Sequence, residues 1–180
     1  MKKTLLLAIA LLFPLSAAAQ SGDRAEIGTT LGLQFNISAG SSMTTFGTPG
    51  GGGSLGTPSL YASFFLTPNL ILEPQLGLSH QSADGFSLTS IHLAPQLAYL
   101  FTPETDGSLY SGFNLGLDYA SGFGESASQL AVGAAVGYRH RFVDSLGLRF
   151  EFRFRRWFES DLFWAVSEIS FLVGVGAIIR

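Results

Sequence analysis

The 180-residue sequence contains no cysteine, so disulfide bonds cannot hold its fold together. Charged residues make up only 13% of the chain, about half of their share in an ordinary soluble domain. Lysine occurs only at Lys2 and Lys3, so arginine supplies every basic side chain that follows. Because no basic cluster is present, the sequence offers no surface suited to nucleic acid.

The first 19 residues have the pattern of a secretory signal peptide. A charged start is followed by an apolar run and by an A-x-A cleavage motif at Ala17 and Ala19. We therefore expect cleavage before Gln20 and a single mature domain over residues 20–180. The remaining 8 arginines (10 basic residues less 2 lysines) against 13 Asp and Glu give the mature domain a net charge of −5.

Long apolar runs are absent from the mature domain. The longest candidate, 169–179, is much shorter than the ~20 residues that a membrane-spanning helix needs. Hydrophobic residues nevertheless make up 47% of the chain. A hydrophobic exported protein without a spanning helix favours a closed β-barrel, the other architecture that satisfies its backbone hydrogen bonds inside lipid.

Eight segments alternate apolar and polar residues with a period of two, which is the pattern of β-strands. The predicted strands are 26–37, 59–66, 70–81, 87–101, 108–120, 127–142, 146–155 and 164–179. Short turns alternate with longer connections, as short periplasmic turns and longer external loops do in outer-membrane barrels. The longest connection is 38–58, whose glycine-rich core is predicted to be flexible.

The alternation alone leaves two orientations open. If the polar parity met lipid, each arginine near the midplane would cost ~2–4 kcal/mol, and together they would exceed a typical folding stability of ~5–15 kcal/mol. We therefore predict an all-β, eight-stranded antiparallel up-and-down transmembrane barrel with its apolar parity facing lipid. The alternative is a soluble lipocalin-like barrel, whose surface would be this polar parity, rich in small residues and poor in charge.

Ten charged residues share the parity that we predict to face the lumen. They are Glu26, Glu73, Asp118, Arg139, Arg141, Arg149, Glu151, Arg153, Arg155 and Glu168. Five cations and five carboxylates can neutralise one another, as buried charges must. A turn centred on Asp144 places Arg139 opposite Arg149, and a last loop centred near residue 160 predicts an Arg153–Glu168 contact. Such pairs either plug the lumen or form a gate, and we favour the plug.

Two further features concern the barrel wall. Pro74 and Pro95 fall inside predicted strands, and a loop centred between Asp84 and Gly85 places them opposite each other, which predicts a local bulge or a weak spot. Aromatic residues near strand ends are predicted to form interfacial girdles. These are Tyr99, Phe101, Phe142, Trp157, Phe158 and Trp164.

The signal, the eight strands, the short turns and the inward Arg/Glu cluster together resemble the small OmpA/OmpX-like outer-membrane barrels. The stretch LTPNLILEPQLGLSH, residues 66–80, is similar to that family's first periplasmic turn and following strand. The resemblance implies a monomer, surrounded by outer-membrane lipids, that the barrel assembly machinery inserts with a largely plugged lumen. Family members often end in an aromatic residue that aids assembly, whereas this chain ends Ile179-Arg180.

The role expected from this resemblance is structural or surface-interacting, with residues 38–58 as the place for a surface ligand, or that of a very small pore. One alternative is enzymatic: His80-Gln81-Ser82 resembles the His-x-Ser motif of lipid A deacylase barrels, and His80 and Ser82 share the outward parity. No outward Glu accompanies them, so we predict no enzyme activity. The three histidines lack the spacing of a metal site, and no cofactor is predicted.

Overall fold

The computed structural model describes residues 25–38, 41–47, 59–83, 86–103, 106–122, 125–160 and 164–179. Its strands are β1 (Ala25–Ser38), β2 (Ser41–Gly47), β3 (Ser59–Phe65), β4 (Leu70–Glu73), β5 (Gln75–Ala83), β6 (Phe86–Leu93), β7 (Gln96–Leu100), β8 (Gly107–Gly122), β9 (Glu125–Val143), β10 (Leu146–Trp157) and β11 (Val166–Ile179). The predicted signal peptide lies outside the described residues. In those ranges, no helix has the length and apolar character needed to cross a membrane.

The strands close into one antiparallel ring of eight positions. The strand β8 pairs with β9, β9 with β10, and β10 with β11. The ring closes where β11 pairs with β1, from Ala25↔Ile179 to Ser38↔Val166. Three positions of the ring each contain two short strands: β2 and β3, β4 and β5, and β6 and β7. The predicted eight-stranded antiparallel barrel is therefore confirmed.

The second position of the ring differs from the prediction. We expected residues 38–58 to be a loop, but Ser41–Gly47 pairs with the second half of β1, from Ser38↔Ser41 to Gly32↔Gly47. This half is called here the outer half of β1. The strand β3 pairs only with the first half of β1, from Ala25↔Phe64 to Thr30↔Ser59. Without β2, the outer half of β1 would be an unpaired edge, which is unfavourable in lipid. The glycine-rich core of the loop lies outside the described residues.

The wall is interrupted where two prolines were predicted to face each other. The registers Leu76↔Leu93 and Glu73↔Gln96 flank the break on its two sides, so the predicted alignment of Pro74 with Pro95 is correct. Because proline has no backbone N–H, the ladder stops there and divides each strand in two. Both proline carbonyls accept bonds from neighbouring strands, Pro74 from Ala62 at 3.2 Å and Pro95 from Leu115 at 3.0 Å.

The apolar side chains of the alternating pattern face outward and the polar ones face the lumen, as predicted. On β10, Phe150 and Phe152 are 51% and 40% exposed, whereas Arg149 and Arg153 are 0% and 1% exposed. The same alternation runs along the other long strands, which places the polar core in the lumen and an apolar surface outside. A lipocalin-like barrel would have the opposite arrangement, so the soluble alternative is wrong.

Glycines on the inner wall make room for the large side chains of the lumen. A Cβ at Gly174 would lie 2.5 Å from Cγ of Arg149, and one at Gly133 would lie 2.7 Å from Cγ of Arg155. A Cβ at Gly137 would overlap the Tyr110 ring. Because an eight-stranded lumen is only wide enough for side chains, these arginines need an inner wall without side chains at such points.

Candidate functional site in the barrel lumen

The charged residues of the lumen form two groups at different heights. The barrel has a turn end, with the connections around Pro68, Pro103 and Asp144, and an opposite loop end. The first group, called here the six-charge cluster, lies toward the turn end and contains Glu26, Glu73, Arg139, Arg149, Glu151 and Arg153. The second, the loop-end cluster, contains His92, Asp118, Arg155, Trp157 and Glu168.

Glu73 is the centre of one half of the six-charge cluster. Its carboxylate accepts bonds from Arg139 and Arg149, from the Ser63 hydroxyl at 2.6 Å and from the Gln75 amide at 2.9 Å. Four donors match the four lone-pair sites of a carboxylate. Glu73 is 1% exposed, so this complete coordination is what makes its burial as an anion tolerable.

Glu151 has the same role in the other half of the cluster. It accepts from Arg149 at 2.8 Å and from Arg153 Nε at 2.7 Å. The Tyr110 hydroxyl and the Gln96 amide donate to it at 2.7 and 3.0 Å. Arg149 therefore joins the two buried carboxylates, and the six-charge cluster is one continuous network.

Several of these bonds cross the lumen. Arg149 on β10 reaches Glu73 on β4, four positions round the ring of eight. Arg153 reaches Gln75 on β5 at 3.0 Å, also four positions away. The Arg149 guanidinium also lies 4.7 Å from the centre of the Tyr61 ring, whose hydroxyl donates to Glu26. Side chains from opposite walls thus meet at the barrel axis.

The loop-end cluster is more loosely bonded. Arg155 Nη1 lies 3.0 Å from His92 Nε2, and His92 Nδ1 bonds to Asp118. Glu168 accepts from the Trp157 indole at 2.8 Å, but its closest approach to the guanidinium of Arg155 is 4.0 Å. All five residues are at most 5% exposed.

Arg141 is the one predicted lumen residue that joins neither cluster. It lies at the turn-end mouth, where its guanidinium pairs with the exposed Asp106. The hydrogen bond from Arg141, and then its charge, lowers the pKa of the Asp106 carboxyl below its usual value. Beside this pair is a cavity of about 90 Å³ that Glu26 and Arg139 also line.

Of the two predicted registers, one is confirmed and one is wrong. Arg139 lies opposite Arg149 as expected. Glu168, however, lies opposite Arg155, while Arg153 faces Ser170. The last hairpin is centred one residue later than predicted, which moves every pairing by two residues. The predicted Arg153–Glu168 contact is therefore replaced by the Arg155–Glu168 approach.

Five of the six residues predicted for the aromatic girdle face outward, and one does not. Tyr99, Phe101, Phe142, Phe158 and Trp164 are all exposed. Trp157, by contrast, is 2% exposed inside the lumen, with its indole bonded to Glu168. Its parity is the same as that of Arg153 and Arg155, and this signal in the sequence was overlooked.

The enzymatic alternative stays a hypothesis. His80 is exposed on the outer face, and its Nδ1 lies 2.9 Å from the Thr89 hydroxyl. The side chain of Ser82 lies outside the described residues, so its distance to His80 is not part of the structure. Among the described residues, no group of three or more His, Cys, Asp or Glu is arranged to hold a metal ion.

A closed antiparallel ring with an apolar exterior and a charged interior defines an integral β-barrel membrane protein. The model of the outer membrane protein beta-barrel domain family matches residues 5–177. The chain therefore belongs to this family and is a bacterial outer-membrane protein. No curated protein matches the sequence.

Solved structures of small outer-membrane barrels match the fold. Neisserial surface protein A is 14% identical with a TM-score of 0.64, over 86% of this chain and 98% of that one. Ail of Yersinia pestis, in complex with the heparin analogue sucrose octasulfate, is 12% identical with a TM-score of 0.57, over 87% and 98%. OprH of P. aeruginosa is 15% identical with a TM-score of 0.54, over 84% and 99%. At these identities the likeness shows the fold alone.

Proposed function

We propose that the protein is a structural component of the outer membrane whose lumen is closed at neutral pH by the six-charge cluster. The observation that carries this proposal is the pair of carboxylates, Glu73 and Glu151, that each accept four bonds at the barrel axis. A solute can pass only if side chains such as Arg149 leave both carboxylates. No general pore activity is expected from such a lumen.

The stability of the seal follows from burial. Removing one partner from a buried ion pair costs ~3–5 kcal/mol, and displacing Arg149 separates it from two carboxylates at once. The lower figure for a single contact already limits the open state to less than about one molecule in a hundred, and breaking both contacts makes it rarer still. The lumen therefore acts as a plug rather than as a gate that opens spontaneously.

The remaining expectations about partners are part of the same proposal. The apolar outer face suits outer-membrane lipids, and insertion by the barrel assembly machinery is expected for this family. Pairing of β1 with β11 supports a monomer, because the ring closes within one chain. A surface-interaction role would use residues 38–58, of which the structure describes Ser41–Gly47. The deacylase alternative has less support, because His80 bonds to Thr89.

Single-channel recording in planar bilayers tests the proposal. At pH 7.5 the unmodified protein is expected to give no discrete conductance steps. The double variant Glu73→Ala/Arg149→Ala keeps the net charge but removes the Arg149–Glu73 contact across the lumen, and steps are expected to appear. The matched control is Asp106→Ala/Arg141→Ala, which removes an ion pair at the mouth and is expected to stay silent. Stable channels in the unmodified protein would overturn the proposal.

A further inference from the structure

The loop-end cluster contains a histidine whose protonation state follows from its neighbours. Arginine has only hydrogen-bond donors, so the contact of Arg155 Nη1 with His92 Nε2 requires that this nitrogen accept. The proton of the imidazole is then on Nδ1 and is donated to Asp118. The geometry therefore corresponds to a neutral His92 between an anion and a cation.

The charge balance of the two clusters differs. The six-charge cluster has three arginines and three glutamates, so its net charge is zero. In the loop-end cluster, Arg155 is opposed by both Asp118 and Glu168, so its net charge is −1 while His92 is neutral. Taking up one proton would balance this cluster, and His92 is the side chain in it that becomes a cation when it takes up a proton.

A protonated His92 cannot keep its present contact with Arg155. Both nitrogens would then be donors, and two positive groups would face each other at 3.0 Å. Arg155 has an alternative partner, because Glu168 is its register partner on β11 and lies 4.0 Å away. Its Nε and Nη2 have no hydrogen-bond partner among the described residues and are free to bond there. His92 would keep its bond to Asp118 as an ion pair.

We propose that Arg155 is a proton-controlled switch. It crosses the lumen to His92, three positions round the ring, while that imidazole is neutral, and it withdraws to Glu168 on the adjacent strand when His92 takes up a proton from water. The groups in contact with His92 are Asp118 on β8 and Arg155 and Trp157 on β10, while its partner on β5 is the uncharged Gly77. Glu168 on β11 contacts Arg155 and Trp157 and adds the negative charge of its carboxylate to this layer. Protonation thus opens the loop-end layer of the lumen.

This inference rests on the proposed closed lumen, of which the loop-end cluster is one layer. The six-charge cluster contains no histidine, so protonation of His92 removes none of its bonds. Acid therefore opens the lumen from the loop end as far as this cluster but produces no continuous channel. The lumen becomes accessible from the loop end, while the six-charge cluster still blocks passage through it.

Trp157 is a natural reporter of the switch, because its ring centre lies 5.8 Å from that of His92 and its indole bonds to Glu168. The chain has two tryptophans, so Trp164→Phe leaves Trp157 as the only one. Its fluorescence is expected to change in one acid-dependent transition. His92→Gln keeps an acceptor for Arg155 and a donor for Asp118, and should abolish the transition. His80→Gln, on the outer face, should preserve it.

Thiol labelling measures the opening itself. Asn114 is fully buried, and neither polar atom of its side chain has a partner among the described residues. Asn114→Cys therefore provides a unique cysteine in the lumen, with the exposed Ser126→Cys as the reference for the intrinsic pH dependence of the thiol. Between pH 7.5 and 5.5, the ratio of their labelling rates is expected to rise about tenfold, which corresponds to 1.4 kcal/mol, and to stay constant in His92→Gln.

Three results would each overturn the switch: Trp157 fluorescence that does not change with pH, a transition that persists in His92→Gln, or an unchanged labelling ratio. The titration uses the native histidine, so it remains decisive even if a substitution at His92 prevents folding. Failure of the closed lumen would appear separately, as conductance of the unmodified protein at pH 7.5.

Discussion

The substitution Glu73→Ala tests how much the six-charge cluster contributes to stability. It leaves the guanidinium groups of the fully buried Arg149 and the largely buried Arg139 without their shared carboxylate. Breaking a buried ion pair costs ~3–5 kcal/mol, and Ser63 and Gln75 also lose their acceptor. We expect the free energy of unfolding to fall by at least ~3 kcal/mol, a large part of a typical ~5–15 kcal/mol.

Urea unfolding in lipid vesicles at pH 7.5, followed by tryptophan fluorescence, gives this free energy directly. Adding Arg149→Ala should recover part of the loss, because the second substitution removes an uncompensated charge. Asp106→Ala is the matched control, since its exposed pair with Arg141 contributes little to stability. A Glu73→Ala variant within ~1 kcal/mol of the unmodified protein would refute the argument that paired charge stabilises the lumen.

Two further predictions concern the wall and the mouth. Gly174→Val places a side chain against Arg149, where even a Cβ would lie 2.5 Å from Cγ, and should cost ~1–3 kcal/mol or more in urea unfolding. Gly77→Ala, whose Cβ would have its nearest neighbour at 3.4 Å, should cost less. The lowered pKa of Asp106 means that its pair with Arg141 stabilises the fold above the carboxyl's ordinary value of 3.8 and that this contribution fades as the pH falls below it. Asp106→Asn should therefore remove this acid-dependent part of the unfolding curve, and an unchanged curve would contradict the assignment.

The orientation of the side chains could be predicted from the sequence because the backbone decides it. In a β-strand successive side chains point to opposite faces, so the parity of Arg149 and Phe150 is a geometric consequence of their order. The high cost of arginine in hydrocarbon then selects the face. Of the ten residues that this reasoning assigned to the lumen, nine lie in the two clusters and Arg141 lies at the mouth.

Pairing between strands was less predictable because it depends on where each hairpin turns. The connection after Val143 is only two residues long, and a one-residue register shift between Leu146 and Gly147 then places Arg139 opposite Arg149, as predicted. The last connection is longer and has no single turn residue, so an error of one residue in its centre exchanged Arg153 for Arg155 opposite Glu168.

Two other features required the three-dimensional ring. The pairing of β2 arises because the outer half of β1 needs a neighbour, a demand that local residue preferences do not reveal. The loop-end cluster depends on contacts between strands three positions apart, such as His92 with Arg155. Parity predicts that both side chains point inward, but not that they meet.

Quenching by brominated lipid tests the orientation of the barrel most directly. With Trp164→Phe, the remaining Trp157 lies inside the lumen and should be protected from the lipid quencher. With Trp157→Phe and Trp164→Phe combined, Phe152→Trp places a single indole on the outer face and should be quenched strongly. Protection of the indole at position 152 together with quenching at position 157 would contradict the account.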